Sequence, residues 1–334
     1  MIINILIYSS ISFLILILIS KISYKLNLVD APNKRKIHLK PTAYTGGLGL
    51  CLIYIIAILL FDFSSEKLNL ILSTAFLIGI VGFVDDKHDL NVGSKLSLQV
   101  IPIIYLIIIE NLSLNHVGNY DYFKLELNSF SIPFTLIAIL FLINSFNYFD
   151  GLDGTLSFTT ISVLVILYFL ITDENIKLFL ITLLIPLLFF LFFNFSTFKL
   201  PKLFLGDSGS LLIGFIIAFT LIFIGNSGEI HPILLAWSIT IFVYEFLSIH
   251  LIRLKNKKAA FEPGLDHLHH ILFKKTKTLF LTNFLISITN IIFFIIGYVS
   301  FKFINSLTSL ILFLFLFIIY FIVRLNFLNN KNFH

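Results

Sequence analysis

The sequence predicts an all-α fold, a polytopic helix bundle in a membrane, and three observations carry that prediction. Hydrophobic residues make up 58% of the 334 positions against 12% charged, and mean hydropathy is +1.01, well outside the range of a soluble domain. Apolar runs recur from end to end with no polar block large enough for a soluble core between them, which leaves a single membrane domain over residues 1–334. Lys and Arg gather in the connections between alternate runs, the bias that orients helices in a bilayer.

A bilayer core of about 30 Å needs about 20 apolar residues per helix. Eleven spans are read on that basis, at about 2–21, 46–62, 68–84, 96–110, 131–149, 155–172, 176–194, 208–225, 231–251, 281–300 and 306–325. The first run has no positive charge before it, exceeds the apolar core of a secretory leader and lacks a small-residue cleavage site after it, so a retained helix is expected. All but four of the 23 Lys and Arg fall to the odd-to-even connections and the C-terminal tail, the four being Lys67, Lys124, Lys177 and Lys302. That side is therefore expected to be cytoplasmic, with the N-terminus outside and the C-terminus inside. Cys51 is the single cysteine, so no disulfide forms within the chain. The net charge of +5 sits in short loops, a membrane-orienting pattern rather than a nucleic-acid footprint.

Five polar constellations fall on the predicted cytoplasmic side, in loops at about 22–45, 85–95, 147–155, 196–210 and 252–280. In "DAPNKRKIHLKPTAYTGG", residues 30–47, the basic residues Lys34, Arg35, Lys36, His38 and Lys40 precede Gly46 and Gly47. The run reads as a membrane-surface anchor or as an anion-attracting rim, where the glycines admit a second backbone or a phosphate. "VGFVDDKHDLN", residues 81–91, sets Asp85 and Asp86 side by side at the end of the third span. Two carboxylates about 4 Å apart repel by roughly 1 to 4 kcal/mol, so the pair needs solvent, Lys87 or a divalent cation. Asp89 reads as a solvated acid at the helix end.

In "NSFNYFDGLDG", residues 144–154, Asn144, Asn147, Asp150 and Asp153 recur every three positions and would share one face if helical, beyond what a polar turn requires. "PKLFLGDSGSLLIG", residues 201–214, opens the eighth span with Gly206, Asp207, Ser208, Gly209 and Ser210. Either Asp207 or Ser208 is an ordinary N-cap, or the free amides take a phosphate and Asp207 a metal. The fifth stretch carries Arg253, Lys255, Lys257 and Lys258, then "FEPGLDHLHHIL" with His267, His269 and His270. Without cysteines, and with oxygen ligands elsewhere, zinc is disfavoured. Forked Arg and proton-relaying His suit a ligand with several phosphates. No Walker loop is present. Together the constellations describe a Mg²⁺-assisted enzyme acting on a diphosphate at the membrane surface.

In this order, "APNKRKIH" with "TGG", "GFVDDKHDL", "NSFNYFDGLDG", "FLGDSGS" and the run from Arg253 through "FEP" to "HLHH" resemble the polyprenyl-phosphate N-acetylhexosamine-1-phosphate transferases, over residues 30–275. The resemblance implies attack by a lipid phosphate, undecaprenyl phosphate, on the β-phosphorus of a UDP-N-acetylhexosamine, with UMP leaving and Mg²⁺, or Mn²⁺ in its place, as cofactor. It carries catalytic roles to Asp85, Asp86 and Asp207, and substrate binding to Lys95, Asn147, Asp150, Asp153, Arg253, His267, His269 and His270. The metal falls to Asp207 and Asn147. It further implies a multi-pass protein of the cytoplasmic membrane with its site on the inner face, and is compatible with a homodimer. Ala43, Glu245 and Gly264 depart from the usual pattern, the last two beside the loop associated with the sugar. A related transferase using UDP-N-acetylmuramoyl-pentapeptide is the rival within the class, usually with three consecutive histidines. An ion-coupled transporter is the rival outside it, with Glu245 and His250 as its only candidates in a span.

Overall fold

The computed structural model describes residues 2–31, 40–257, 264 and 266–329. The basic run Lys34, Arg35, Lys36 and His38, and Lys258 with the "FEP" stretch, lie outside the described residues. The helices are α1 (Ile2–Lys25), α2 (Gly46–Leu60), α3 (Glu66–His88), α4 (Val92–Ile104), α5 (Ser131–Tyr148), α6 (Thr155–Leu170), α7 (Glu174–Asn194), α8 (Gly206–Ser227), α9 (Pro232–Ser238), α10 (Thr240–Lys255), α11 (Leu268–Thr276), α12 (Leu279–Phe303) and α13 (Ser306–Asn329). Two short antiparallel pairs accompany them: β1 (Val29–Asp30) with β2 (Thr42–Ala43), and the hairpin β3 (His116–Tyr120) with β4 (Phe123–Glu126).

Among the described residues eight helices are long and apolar enough to cross a bilayer, or nine if α9 and α10 form one bent span. Helices α2 and α6, at 15 and 16 residues, fall short of that length although both lie where spans are predicted. The ninth predicted span is not one straight helix: it bends by 73° between α9 and α10, where Ile239 leaves helical geometry at φ −113° and ψ 19°. Helix α4 also runs on into a π-helical turn, Tyr105–Ile109, three residues after Pro102, as the missing proline N–H loosens the ladder.

Helix α8 is the centre of the bundle, buried along nearly all its length, with α2, α3 and α5 packed on it. Apolar contact alone does not draw helices together in lipid, so close approach through small residues does much of the work. Gly47 of α2 faces Gly209 of α8, and a Cβ at Gly82 of α3 would stand 2.5 Å from the Asp207 carbonyl carbon and the Ser208 Cα. An extended stretch locks the entry to α8 against the entry to α2. Phe204 N–H donates to Ala43 O at 2.7 Å, while Gly46 and Gly47 N–H donate to Phe204 O and Leu205 O at 2.9 Å.

Candidate active site

Glycines at both helix entries let three backbones meet at one end of the bundle, and the acidic residues follow from that meeting. Of the two readings of Gly46 and Gly47, the structure selects a second backbone: a Cβ at Gly46 would lie 2.5 Å from Phe204 O. Gly206 holds φ +71°, which only glycine adopts without strain, and a Cβ there would meet Tyr44 O at 2.5 Å and Asp86 Oδ2 at 2.6 Å.

Asp86 Oδ1 accepts from Asp207 N–H at 2.9 Å and its Oδ2 from Ser208 N–H at 3.1 Å. This corrects the expectation of free amides awaiting a phosphate at the start of α8. A carboxylate from α3 already satisfies them, where the helix dipole favours negative charge. Neither Asp207 nor Ser208 is the N-cap; Leu205 holds that position.

Asp85, its neighbour, faces elsewhere. Its Oδ1 accepts from Leu90 N–H at 2.8 Å and its Oδ2 pairs with Lys95 Nζ at 2.7 Å. The same ammonium pairs with Asp207 Oδ2. Asn147 Nδ2 donates to Asp207 Oδ1 at 2.9 Å and to Ser210 Oγ at 2.8 Å. Asp85, Asp86, Lys95, Asn147 and Asp207 therefore form one hydrogen-bonded cluster drawn from α3, α4, α5 and α8. Asp85, Asp86 and Lys95 sit on helices rather than in the predicted 85–95 loop, which shrinks to three residues between His88 and Val92.

The expected single face of Asn144, Asn147, Asp150 and Asp153 does not form, because α5 stops at Tyr148 and the chain turns. Asn144 points into the bundle, donating to Leu140 O at 2.7 Å. Asp150 hangs from the turn beside the cluster: desolvation first, then the Asp207, Asp86 and Asp153 carboxylates, raise its carboxyl well above the usual range. Asp153 is committed to Lys202 at 2.6 Å, a partner the sequence reading missed although it lies in "PKLFLGDSGS".

A second cluster lies beyond the turn. The His267 and His269 rings are parallel at 5.5 Å between centroids, and Tyr148 meets His267 edge-on at 5.1 Å. Gly151 packs so tightly on His269 Nε2 that no Cβ fits. Burial is the first cause that lowers all three histidines, His270 to about 4; neighbouring imidazoles add to it at His269 and His270, while Glu245 and Asp266 oppose it at His267. All three are neutral near pH 7. Among the described residues His267 Nδ1 and His269 Nε2 have no hydrogen-bond partner. Arg253, 3% exposed, forks onto Asp266 through Nη2 at 2.8 Å and Nε at 3.2 Å. Burial would raise the Asp266 carboxyl, but the guanidinium holds it below the usual range. Asp266 was legible only as one acid in a basic loop.

Among the described residues no three His, Cys, Asp or Glu side chains converge as a metal cage. Mg²⁺ does not require one, since it keeps several waters and takes one or two carboxylates. Asp85 and Asp207, which share Lys95, form such a hard-oxygen donor set. Asn147 joins it only if its amide turns, because Nδ2 now faces Asp207. Asp85 and Asp207 share the Lys95 ammonium, and the Asp86 and Asp150 carboxyls act electrostatically on Asp207 as well, a balance that favours an added cation.

Comparisons with known proteins bear on this arrangement. Residues 68–225 match the model of glycosyl transferase family 4. The undecaprenyl-phosphate alpha-N-acetylglucosaminyl 1-phosphate transferase of Yersinia pestis is 28% identical over 309 residues, 90% of this chain and 85% of its own. The protein of the same name from Escherichia coli O157:H7 is 29% identical over 76% of this chain and 71% of its own. That of Pasteurella multocida (strain Pm70) is 30% identical over 280 residues, 79% of this chain and 76% of its own.

Proposed function

The chain belongs to glycosyl transferase family 4, and from that membership we propose that it transfers N-acetylglucosamine-1-phosphate from UDP-GlcNAc to undecaprenyl phosphate, releasing UMP. The relatives' shared name supports the acceptor and the sugar phosphate. The observation that carries the site is the convergence of Asp85, Asp207, Asn147 and Lys95 at one end of a membrane bundle. The distribution of Lys and Arg supports placing that end at the cytoplasmic face of the inner membrane.

In this reading two anions must meet, since a phosphomonoester with second pKa near 6 is already largely dianionic at pH 7. Proton removal therefore contributes less than neutralisation. Mg²⁺ bound by Asp207, with Asp85 or a turned Asn147, would supply charge screening and Lewis acidity at the diphosphate. Lys95 holds Asp85 and Asp207 in register and offers the local positive charge. Asp86 fixes the start of α8, so that Asp207 enters the site at a set angle. Asp150, biased toward its protonated form, can donate to a phosphate oxygen rather than repel it. The neutral histidines can donate through N–H groups to the phosphate of the leaving UMP. Glu245 is engaged by Arg324, Tyr320 and Leu268 N–H, which argues against an ion-coupling role in transport.

The test is purified protein in detergent with labelled UDP-GlcNAc, undecaprenyl phosphate and Mg²⁺. Release of UMP that stops with EDTA and returns with Mg²⁺ or Mn²⁺ is expected. No release with any UDP-sugar would remove the proposal, and a preference for UDP-N-acetylmuramoyl-pentapeptide would move it to the sister activity.

A further inference from the structure

Helix α13 lies outside both the matched family segment and every motif singled out in the sequence, yet it carries Arg324, 1% exposed, in a helix with no other charged residue. Its Nε donates to Glu245 Oε2 at 2.7 Å and its Nη2 to Glu245 Oε1 at 2.8 Å, a fork between α13 and α10. Glu245 is itself 2% exposed, and Tyr320 OH donates to its Oε2 at 2.7 Å.

The pair reaches past itself. Glu245 Oε1 also accepts from Leu268 N–H at 2.7 Å, and Arg324 Nη2 also donates to the Asp266 carbonyl at 2.7 Å. These two backbone groups flank His267. The Asp266 side chain is tied separately to Arg253 of α10. The short segment that aims the histidines is thus stitched at three points to α10 and α13, while Gly151 closes on His269 from the other side.

Taking two charges out of water is repaid only by excellent geometry, and a buried pair often stabilises no more than packed apolar residues of like volume. Ionisable groups inside apolar helices accordingly mark function more often than stability. We propose that Glu245 and Arg324 are positioning residues for the transfer reaction: their fork holds the backbone on either side of His267, so that the C-terminal helix fixes where the histidines meet the diphosphate. Helix α13 is then part of the active-site apparatus without touching substrate. This rests on the function proposed above.

The test separates positioning from folding and from that function. Arg324→Lys keeps the charge but cannot reach Glu245 and Asp266 O together, and Glu245→Asp withdraws one methylene from Leu268 N–H. Each is expected to elute from size-exclusion chromatography as the wild type does, to lose at least tenfold in kcat for UMP release, and to change KM for the UDP-sugar by less than threefold. Carbethoxylation of His267 and His269 by diethyl pyrocarbonate, scaled to His231 at the opposite end, is expected to rise at least threefold. The exchange Glu245→Arg with Arg324→Glu restores a pair but neither backbone bond, so it is not expected to recover kcat; recovery would mean a merely structural pair and overturn the proposal. Tyr320→Phe removes one hydroxyl and serves if the charged variants do not fold, with a loss of two- to fivefold expected. Unchanged kcat and histidine reactivity in the variants that fold would overturn the proposal. If the wild type released no UMP with any UDP-sugar, the function would fail, while histidine reactivity would still decide the positioning claim.

Discussion

Replacing Gly82 by Ala adds one methyl where α3 meets the start of α8. The new Cβ would stand 2.5 Å from the Asp207 carbonyl carbon and the Ser208 Cα, whereas carbon atoms pack at about 3.5–4.0 Å. The α8 entry must therefore recede by about 1 Å. That displacement stretches the 2.9 Å bond from Asp207 N–H to Asp86 beyond hydrogen-bonding range and withdraws the Asp207 carboxylate from Lys95 and Asn147. Overpacking of this kind destabilises by about 1–3 kcal/mol. It acts against the roughly 1 kcal/mol that Ala in place of Gly returns to a helix interior, so the net loss of stability is small. The effect on rate is larger, because a 1 Å misplacement of a reacting group can lower it about 100-fold. Gly93→Ala is the control: among the described residues the nearest atom its Cβ would meet, Asn91 Oδ1, is 3.4 Å away, and no loss is expected. UMP release and thermal unfolding would be measured on both variants. A Gly82→Ala enzyme within threefold of the Gly93→Ala control would refute the view that this close approach sets the position of Asp207.

Other variants divide the acidic pair by role. Asp86→Asn replaces one acceptor of a backbone N–H by a donor, and the loss of charge-assisted bonds is about 1.5–3 kcal/mol; a lowered unfolding midpoint is expected, and an unchanged one would deny its cap on α8. Asp85→Asn is expected to lose activity about 100-fold, with no strong recovery at pH 9; recovery there would make proton removal limiting after all. The histidines set a pH window. His270, held at about 4 by burial against an ordinary 6.5, binds fewer protons in the folded state than in the unfolded one. Its contribution is complete above pH 6.5 and is lost as pH falls toward 4. His270→Asn should therefore lose less stability than the wild type between pH 7.5 and pH 5, and an equal loss would contradict this.

The sequence by itself determined the class of the molecule. Composition forces apolar helices, because backbone amides in lipid must pair within their own segment, and a helix was expected at each place where the structure has one of the larger elements. Asp85, Asp86, Asn147, Asp207 and the histidines were legible because polar side chains interrupting apolar runs are costly and stand out. What each carboxylate faces was not legible. Asp85 and Asp86 are neighbours in the chain, yet one meets an ammonium from α4 and the other the amides of α8, since consecutive helical residues point about 100° apart. Asn144 and Asp153 share a spacing with Asn147 and Asp150, but Asn144, still on α5, donates to Leu140 O, and the chain leaves the helix at Tyr148, so that the turn sends Asp153 to Lys202. The bonds of Asn290 with Ser238 O and Ile241 N–H at the bend, and the tie from Arg324 to the segment around His267, join residues far apart in the chain. Periodicity reports only which face of a helix is apolar; which helix lies against that face, and through which glycine it can approach, is decided by packing in three dimensions.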